Sequence, residues 1–194
     1  GNLVLSAVSE RAKSQGVDSV RTMQRHGALT ETLAEFEKQM RVLVIGRQGE
    51  AHETFSDAIG SHIESVIRTL HKPVLVVAEG WAKPQQFMLA YDGSNTADKA
   101  LEMVSQSSLL QGLSCHLVAV RTLSLPTIDN ALQTAATRLR NANFGVTAAI
   151  VDGSVADALV SYQQDQAIDL TIMGAYGHSR IRQFFVGSQT TKML

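Results

Sequence analysis

The sequence predicts an α/β protein whose parallel, twisted, open sheet carries helices on both faces. Short runs rich in Val, Ile and Leu alternate with amphipathic stretches of helical length, and no hairpin signal joins neighbouring runs. A pattern of strand, glycine turn and helix start occurs twice along the chain.

Taken in order, Leu3 to Ser14 has helical spacing, Ser19 to Arg25 is an expected strand, and Leu29 to Gln39 reads as a helix after Gly27. Arg41 to Ile45 is a short apolar strand, Gly60-Ser61 opens a helix through His71, and Lys72-Pro73 stops it before the strand from Val74 to Ala78. Gly80, Trp81 and Pro84 mark a linker. The pattern then restarts with a strand from Phe87 to Tyr91, the turn Asp92-Gly93-Ser94, a helix from Thr96 to Leu109 and a strand from Ser114 to Val120. A loop with Pro126 leads to a helix from Asp129 to Asn141 and a strand from Val146 to Val151. A second Asp-Gly-Ser turn (152–154) precedes a helix from Val155 to Gln166, a strand from Leu170 to Met173 and a last helix from Ser188.

Bulk composition narrows the function. The chain has 194 residues, 44% apolar and 18% charged, enough for one full core and part of another. Lys plus Arg number 17 against 18 for Asp plus Glu, so no global field gathers nucleic acid or an anionic membrane, and any anion must be held by local geometry. The lone Cys115 can form no disulfide within the chain and reads as a buried thiol, which fits a reducing cytoplasm. No apolar run reaches the roughly 18 residues of a membrane span and no signal-peptide layout opens the chain, so a protein neither exported nor inserted is expected.

The repeat organises the rest. Arg41 to Gly49, with Gly46 and Gly49 and later Gly60-Ser61, recurs as Leu170 to Gly177, with Gly174 and Gly177 and later Gly187-Ser188; Gly46 and Gly174 lie 128 residues apart. With that period a counterpart of the Phe87 strand falls before residue 1 and a counterpart of the Val74 strand falls after residue 194. The expected organisation is therefore residues 1–80 as the C-terminal part of one unit, 81–86 as linker, and 87–194 as a second unit without its last strand, clipped at both ends.

The sharpest chemistry is Gly174-x2-Gly177-x9-Gly187-Ser188 at the end of a strand. Glycine is needed where backbone takes positive φ or meets a ligand without a Cβ in the way. A helix starting after Gly187 presents unpaired N–H groups and its dipole's positive end to an anion, and Ser188 adds a hydroxyl donor. His178, Arg180 and Arg182 put positive charge between the glycines, with no acid among them. Against this stands the plainer reading that the glycines make a turn and Ser188 caps a helix. Neither a Walker motif nor a dinucleotide fingerprint is present.

The strand Phe87-Met88-Leu89-Ala90-Tyr91 running into Asp92-Gly93-Ser94, with that glycine pattern at the far end, resembles the nucleotide-binding universal stress protein family. The resemblance covers nearly the whole chain and implies an adenine nucleotide alpha hydrolase-like fold in tandem, a stress-response role, a cytoplasmic dimer and ATP or a related adenine nucleotide as ligand. It implies phosphates on Gly174, Gly177, His178, Gly187, Ser188 and Gln189, next to Met173. Asp92 then faces the nucleoside or a phosphate-bound Mg²⁺, the backbone of Val120 reads the adenine edge, and Ala90 and Tyr91 form the adjoining wall. The tripeptide alone is weak support for Asp92, because Asp152-Gly153-Ser154 repeats it with no matching role.

The first-half loop of Gly46, Gly49, Gly60 and Ser61 departs from the pattern. Ten residues separate Gly49 from Gly60, and Glu50, Glu53 and Asp57 would repel phosphate, so that loop is expected to be degenerate. His52-Glu53 lacks the second histidine of a zinc motif, since Ser56 holds that place. No nucleophile and base pair stands out. The expectation is a ligand-dependent binding module, with a slow ATPase or phosphoryl or nucleotidyl transferase, or a non-binding dimerisation module, as alternatives. The apolar edge strand at Val74 needs a cover, which a homo-oligomer or an intrachain domain pair supplies.

Overall fold

The computed structural model describes residues 2–46, 63, 65–77, 80, 82–122 and 128–174. The first part holds helix α1 (Asn2–Ser14), helix α2 (Leu29–Phe36) running into the 3-10 turn Glu37–Gln39, strand β1 (Leu43–Gly46), helical residues 65–69 and strand β2 (Val74–Val77). The second part runs β3 (Gln86–Ala90), α3 (Asn95–Ser105), β4 (Ser114–Arg121), α4 (Asp129–Asn141), β5 (Val146–Asp152), α5 (Val155–Asp165) and β6 (Leu170–Met173).

All strand pairs are parallel, and the four strands of the second part lie in the order β5-β4-β3-β6. This order follows from the connections. The chain steps outward from β3 to β4 to β5, then returns through α5 to lay β6 on the free side of β3. The direction of winding thus reverses at β3, which puts the carboxyl ends of β3 and β6 at the switch point where open parallel sheets bind ligands.

Burial on both faces explains the near-continuous apolar strands. Phe87, Leu89, Cys115, Leu117 and Ala119 pack with Leu101 and Val104 of α3 and Leu132, Ala136 and Leu139 of α4. On the opposite face Met88, Val118 and Val120 pack with Leu159 of α5 and Ile168. The largest of these side chains each contribute about 1.5–3 kcal/mol by leaving water.

Helix limits follow the side-chain pattern. Residues 129–141 form α4 as expected, and its chain reverses at Asn143, which takes a left-handed φ of 65°. The helix expected through Leu109 ends instead at Ser105. Its buried stripe of Ala97, Ala100, Leu101 and Val104 would next call on Ser107 or Ser108, which gain little from burial, and Leu109 is 81% exposed. At the amino end of β6, Asp169 Oδ2 accepts from the backbone N–H groups of Gln85 (2.7 Å) and Gln86 (3.0 Å). The Gln86 side chain donates in turn to the carbonyls of Gln166 and Ala167, so the start of β3 is tied to the start of β6.

The first part differs. β1 and β2 pair from Leu43↔Val74 to Gly46↔Val77, and the Glu37 carboxylate accepts from the backbone N–H of His71 just before β2. That contact holds the Glu37 carboxyl below its ordinary value. The strand expected from Ser19 to Arg25 does not form; residues 17–26 have no regular structure and all but Val20 are exposed or nearly so. A strand needs a ladder partner. Its counterpart β5 is held by β4, and no strand equivalent to β4 is found among the described residues of the first part.

Candidate functional site

At the carboxyl edge of the second sheet four chain segments converge by register. Ala90 on β3 lies beside Val118 on β4 and Met173 on β6, while Val120 on β4 lies beside Val151 on β5. Ala90, Val120 and Met173 share one apolar face of the sheet, packed in the same cluster. Of the expected site residues, Ala90, Val120 and Met173 thus share this face, whereas the expected wall of Ala90 and Tyr91 does not form as one. Tyr91 sits at the strand end, but its ring turns to the other face, into the core with Leu89 and Ala97. Its hydroxyl donates to Asp98 Oδ1 at 2.8 Å, and burial, helped by that carboxylate, pushes its pKa up to about 12. The Tyr91 backbone N–H donates to the Val118 carbonyl at 2.8 Å, and its ring lies opposite Ala90 because alternate strand residues point to opposite faces.

Beyond Tyr91 the turn is built by its residue types. Gly93 takes φ of 73°, Ser94 Oγ accepts from the Ala97 N–H (3.2 Å) to cap α3, and Ser94 and Thr96 hydroxyls lie 3.0 Å apart. Asp92 Oδ1 accepts from the Ser94 N–H at 3.0 Å. Asp92 Oδ2 is buried and has no hydrogen-bond partner among the described residues. The second tripeptide makes the contrast: Ser154 caps α5 by accepting from the Asp157 N–H, yet Asp152 is exposed and no atom of it is an orphan. Both turns do the same local work, and only Asp92 leaves an unpaired buried carboxylate oxygen at a sheet edge.

Gly174 follows β6 directly. A Cβ there would stand 2.9 Å from the Thr96 carbonyl carbon and 3.0 Å from the Ala97 nitrogen and the Thr96 oxygen, all backbone atoms of the first turn of α3. The glycine is thus required by close approach, and it lets the end of β6 run against the amino end of α3. Asp92, Ser94, Thr96 and Gly174 form one contiguous rim. Sequence reading singled out Asp92 and Gly174 but passed over Thr96 and Asp98, whose signal was only their place in the first turn of a helix after a Ser cap.

Gly177, His178, Arg180, Arg182, Gly187, Ser188 and Gln189 lie outside the described residues, as do Gly49, Gly60 and Ser61 of the first-half loop. Gly46 ends β1, the position matching the residue after β6. Among the described residues no group of three or more His, Cys, Asp or Glu side chains is placed to hold a metal, and no helix is long and apolar enough to cross a membrane. Cys115 is fully buried, with its thiol pushed up to about 12 by burial, which agrees with an inert core residue.

The universal stress protein family profile matches residues 3–78 and 122–194. The chain belongs to the universal stress protein family. A universal stress protein of Synechocystis sp. is 35% identical over 193 residues, spanning 99% of this chain and 67% of that protein. The crystal structure of a universal stress protein from Archaeoglobus fulgidus superposes with a TM-score of 0.74 at 19% identity, over 98% of this chain and 70% of that one. A universal stress protein in complex with cAMP matches 57% of this chain and 88% of its own, at 23% identity and a TM-score of 0.44. Family membership gives this chain a stress-response role and a parallel α/β fold, as its own sheet displays.

Proposed function

We propose that this universal stress protein binds ATP or a related adenine nucleotide at the carboxyl edge of β3 and β6 and acts as a ligand-dependent signalling or protective module. The observation that carries the proposal is the rim where winding reverses. There a buried carboxylate oxygen without a partner, Asp92 Oδ2, follows the end of β3, and the glycine after β6 brings that strand against the start of α3. An orphaned buried acceptor costs about 1–3 kcal/mol. A ribose hydroxyl or a phosphate-bound Mg²⁺ would satisfy it.

The base lies on the apolar side, near Ala90, Val120 and Met173, with the backbone of Val120 reading its edge. Phosphates run along the loop from Gly174 to Gly177 toward Gly187, Ser188 and Gln189, with His178 supplying charge. The protein is a binder without efficient turnover, since the rim holds no nucleophile paired with a base. Its two parts are a C-terminal portion of one family domain, residues 1–80, and a second domain from residue 87. The test is small-molecule analysis of the protein purified without added ligand: an adenine nucleotide released on denaturation at near one equivalent supports the reading. Its absence from wild type after incubation with excess ATP, followed by desalting and direct binding assay, overturns it.

A further inference from the structure

Asp98, in the first turn of α3, is bonded to both ends of the turn that carries Asp92. Its backbone N–H donates to the Ser94 carbonyl at 2.9 Å, and its Oδ1 accepts from the Tyr91 hydroxyl at 2.8 Å. Inside the turn the Ser94 N–H donates to Asp92 Oδ1 at 3.0 Å. These bonds close a circuit from Tyr91 through Asp98 and Ser94 to Asp92, the residue next to Tyr91 in the chain.

Such a turn needs ties from outside. Gly93 at its middle takes φ of 73°, and a glycine restrains its own backbone less than any other residue. The bond between Asp92 and Ser94 is local and moves with the turn. The Tyr91 ring is an anchor on the strand side: the residue is 7% exposed, packs with Leu89 and Ala97, and its N–H is bonded to the Val118 carbonyl. Helix α3 is the anchor on the other side, with Ala97, Ala100, Leu101 and Val104 buried and its first turn against Gly174. The bond from Tyr91 to Asp98 joins the two anchors, with Asp92 between them.

The acceptor that the hydroxyl takes matters as much. Burial first, then Asp98, and after them the charge of Asp92 keep the hydroxyl protonated, against the charge of Arg138. A phenol has one proton to donate, and it goes to Asp98. Asp92 Oδ2 is left buried with no partner among the described residues.

We propose that Asp98, acting through the Tyr91 hydroxyl, is a positioning residue for Asp92, fixing the turn so that Ser94 holds Oδ1 and Oδ2 stays free for a ligand. That the ligand is an adenine nucleotide rests on the function proposed for this rim; that Asp98 orders the turn does not.

The test compares the full wild-type chain with Tyr91→Phe, which keeps the ring, Asp98→Ala, which removes the acceptor, and Asp98→Asn, which keeps an oxygen to accept the hydroxyl. Amide hydrogen exchange at Ser94 is read by NMR and ATP affinity by calorimetry. Exchange at Ser94, relative to β4 amides, should quicken about tenfold in Tyr91→Phe and Asp98→Ala and stay near wild type in Asp98→Asn. ATP affinity should fall about threefold to tenfold in the first two, the loss of one hydrogen bond, and Tyr91→Phe should add no loss in an Asp92→Ala background. Ser94 exchange unchanged in Tyr91→Phe and Asp98→Ala overturns the proposal. So does a general loosening, with β4 amides quickened alongside Ser94 and binding weakened equally in the Asp92→Ala background. Wild type that binds no ATP while its Ser94 exchange depends on Asp98 overturns the nucleotide reading and leaves the positioning role standing.

Discussion

Replacing Gly174 by Ala adds one carbon where the first turn of α3 leaves no room. The new Cβ would meet three backbone atoms of Thr96 and Ala97 at 2.9–3.0 Å, and ordinary contact between such atoms needs about 3.4–4 Å. Backbone cannot rotate aside as a side-chain tip can, so β6 and α3 must separate by roughly half an ångström or more. Overpacking of this kind costs about 1–3 kcal/mol, and at the usual urea sensitivity it moves the unfolding midpoint down by about 1 M. The measurement is urea unfolding of wild type and Gly174→Ala followed by circular dichroism, with ATP affinity of both measured under native conditions. Because the displaced turn carries Ser94 and Thr96 and abuts Asp92, affinity falls together with stability. A Gly174→Ala protein with unchanged midpoint and unchanged affinity would refute the close packing and its link to the site.

Other expectations follow from single contacts. Asp169→Ala removes the acceptor of two backbone N–H groups and should cost about 1–2 kcal/mol in urea unfolding, with Asp169→Asn, which keeps one oxygen, losing less. Cys115 should resist a thiol reagent in native buffer and react fully in denaturant, since burial both hides it and keeps it protonated. His116 is nearly buried against Tyr162, Nδ1 to hydroxyl 2.9 Å, and burial lowers its pKa below the unfolded value of about 6.5. The unfolded chain therefore binds the proton more readily, so the stability tied to neutral His116 is present above about pH 6.5 and is lost as pH falls through the folded value. A His116→Gln variant should show a flatter loss of stability between pH 7 and 5 than wild type.

The second part was legible in its strands because burial on both faces writes itself as runs such as Phe87 to Ala90 and Cys115 to Val120. The sequence misled where formation depends on a neighbour rather than on the segment. Residues 19–25 have strand-like content, but a strand without a ladder leaves its backbone to water. The helix expected from Thr96 to Leu109 stops at Ser105 because Ser107 and Ser108 end its apolar stripe. At the site, Asp92 and Gly174 were readable as punctuation at strand ends. The turn of the Tyr91 ring into the core was not, because it depends on which face α3 covers and on Asp98 lying within reach of the hydroxyl. The orphaned oxygen of Asp92 was equally invisible, since Asp152 stands in the same tripeptide.

Calorimetric titration of the purified chain with ATP, with and without Mg²⁺, bears most directly on the nucleotide site, provided Asp92→Ala and Gly177→Val are titrated alongside. The account predicts saturable one-to-one binding by wild type, weakened about tenfold or more in each variant, as loss of one charge-assisted contact or one close backbone approach implies. Wild-type binding that is undiminished by both substitutions, or no binding by a protein whose circular dichroism shows it folded, would contradict it.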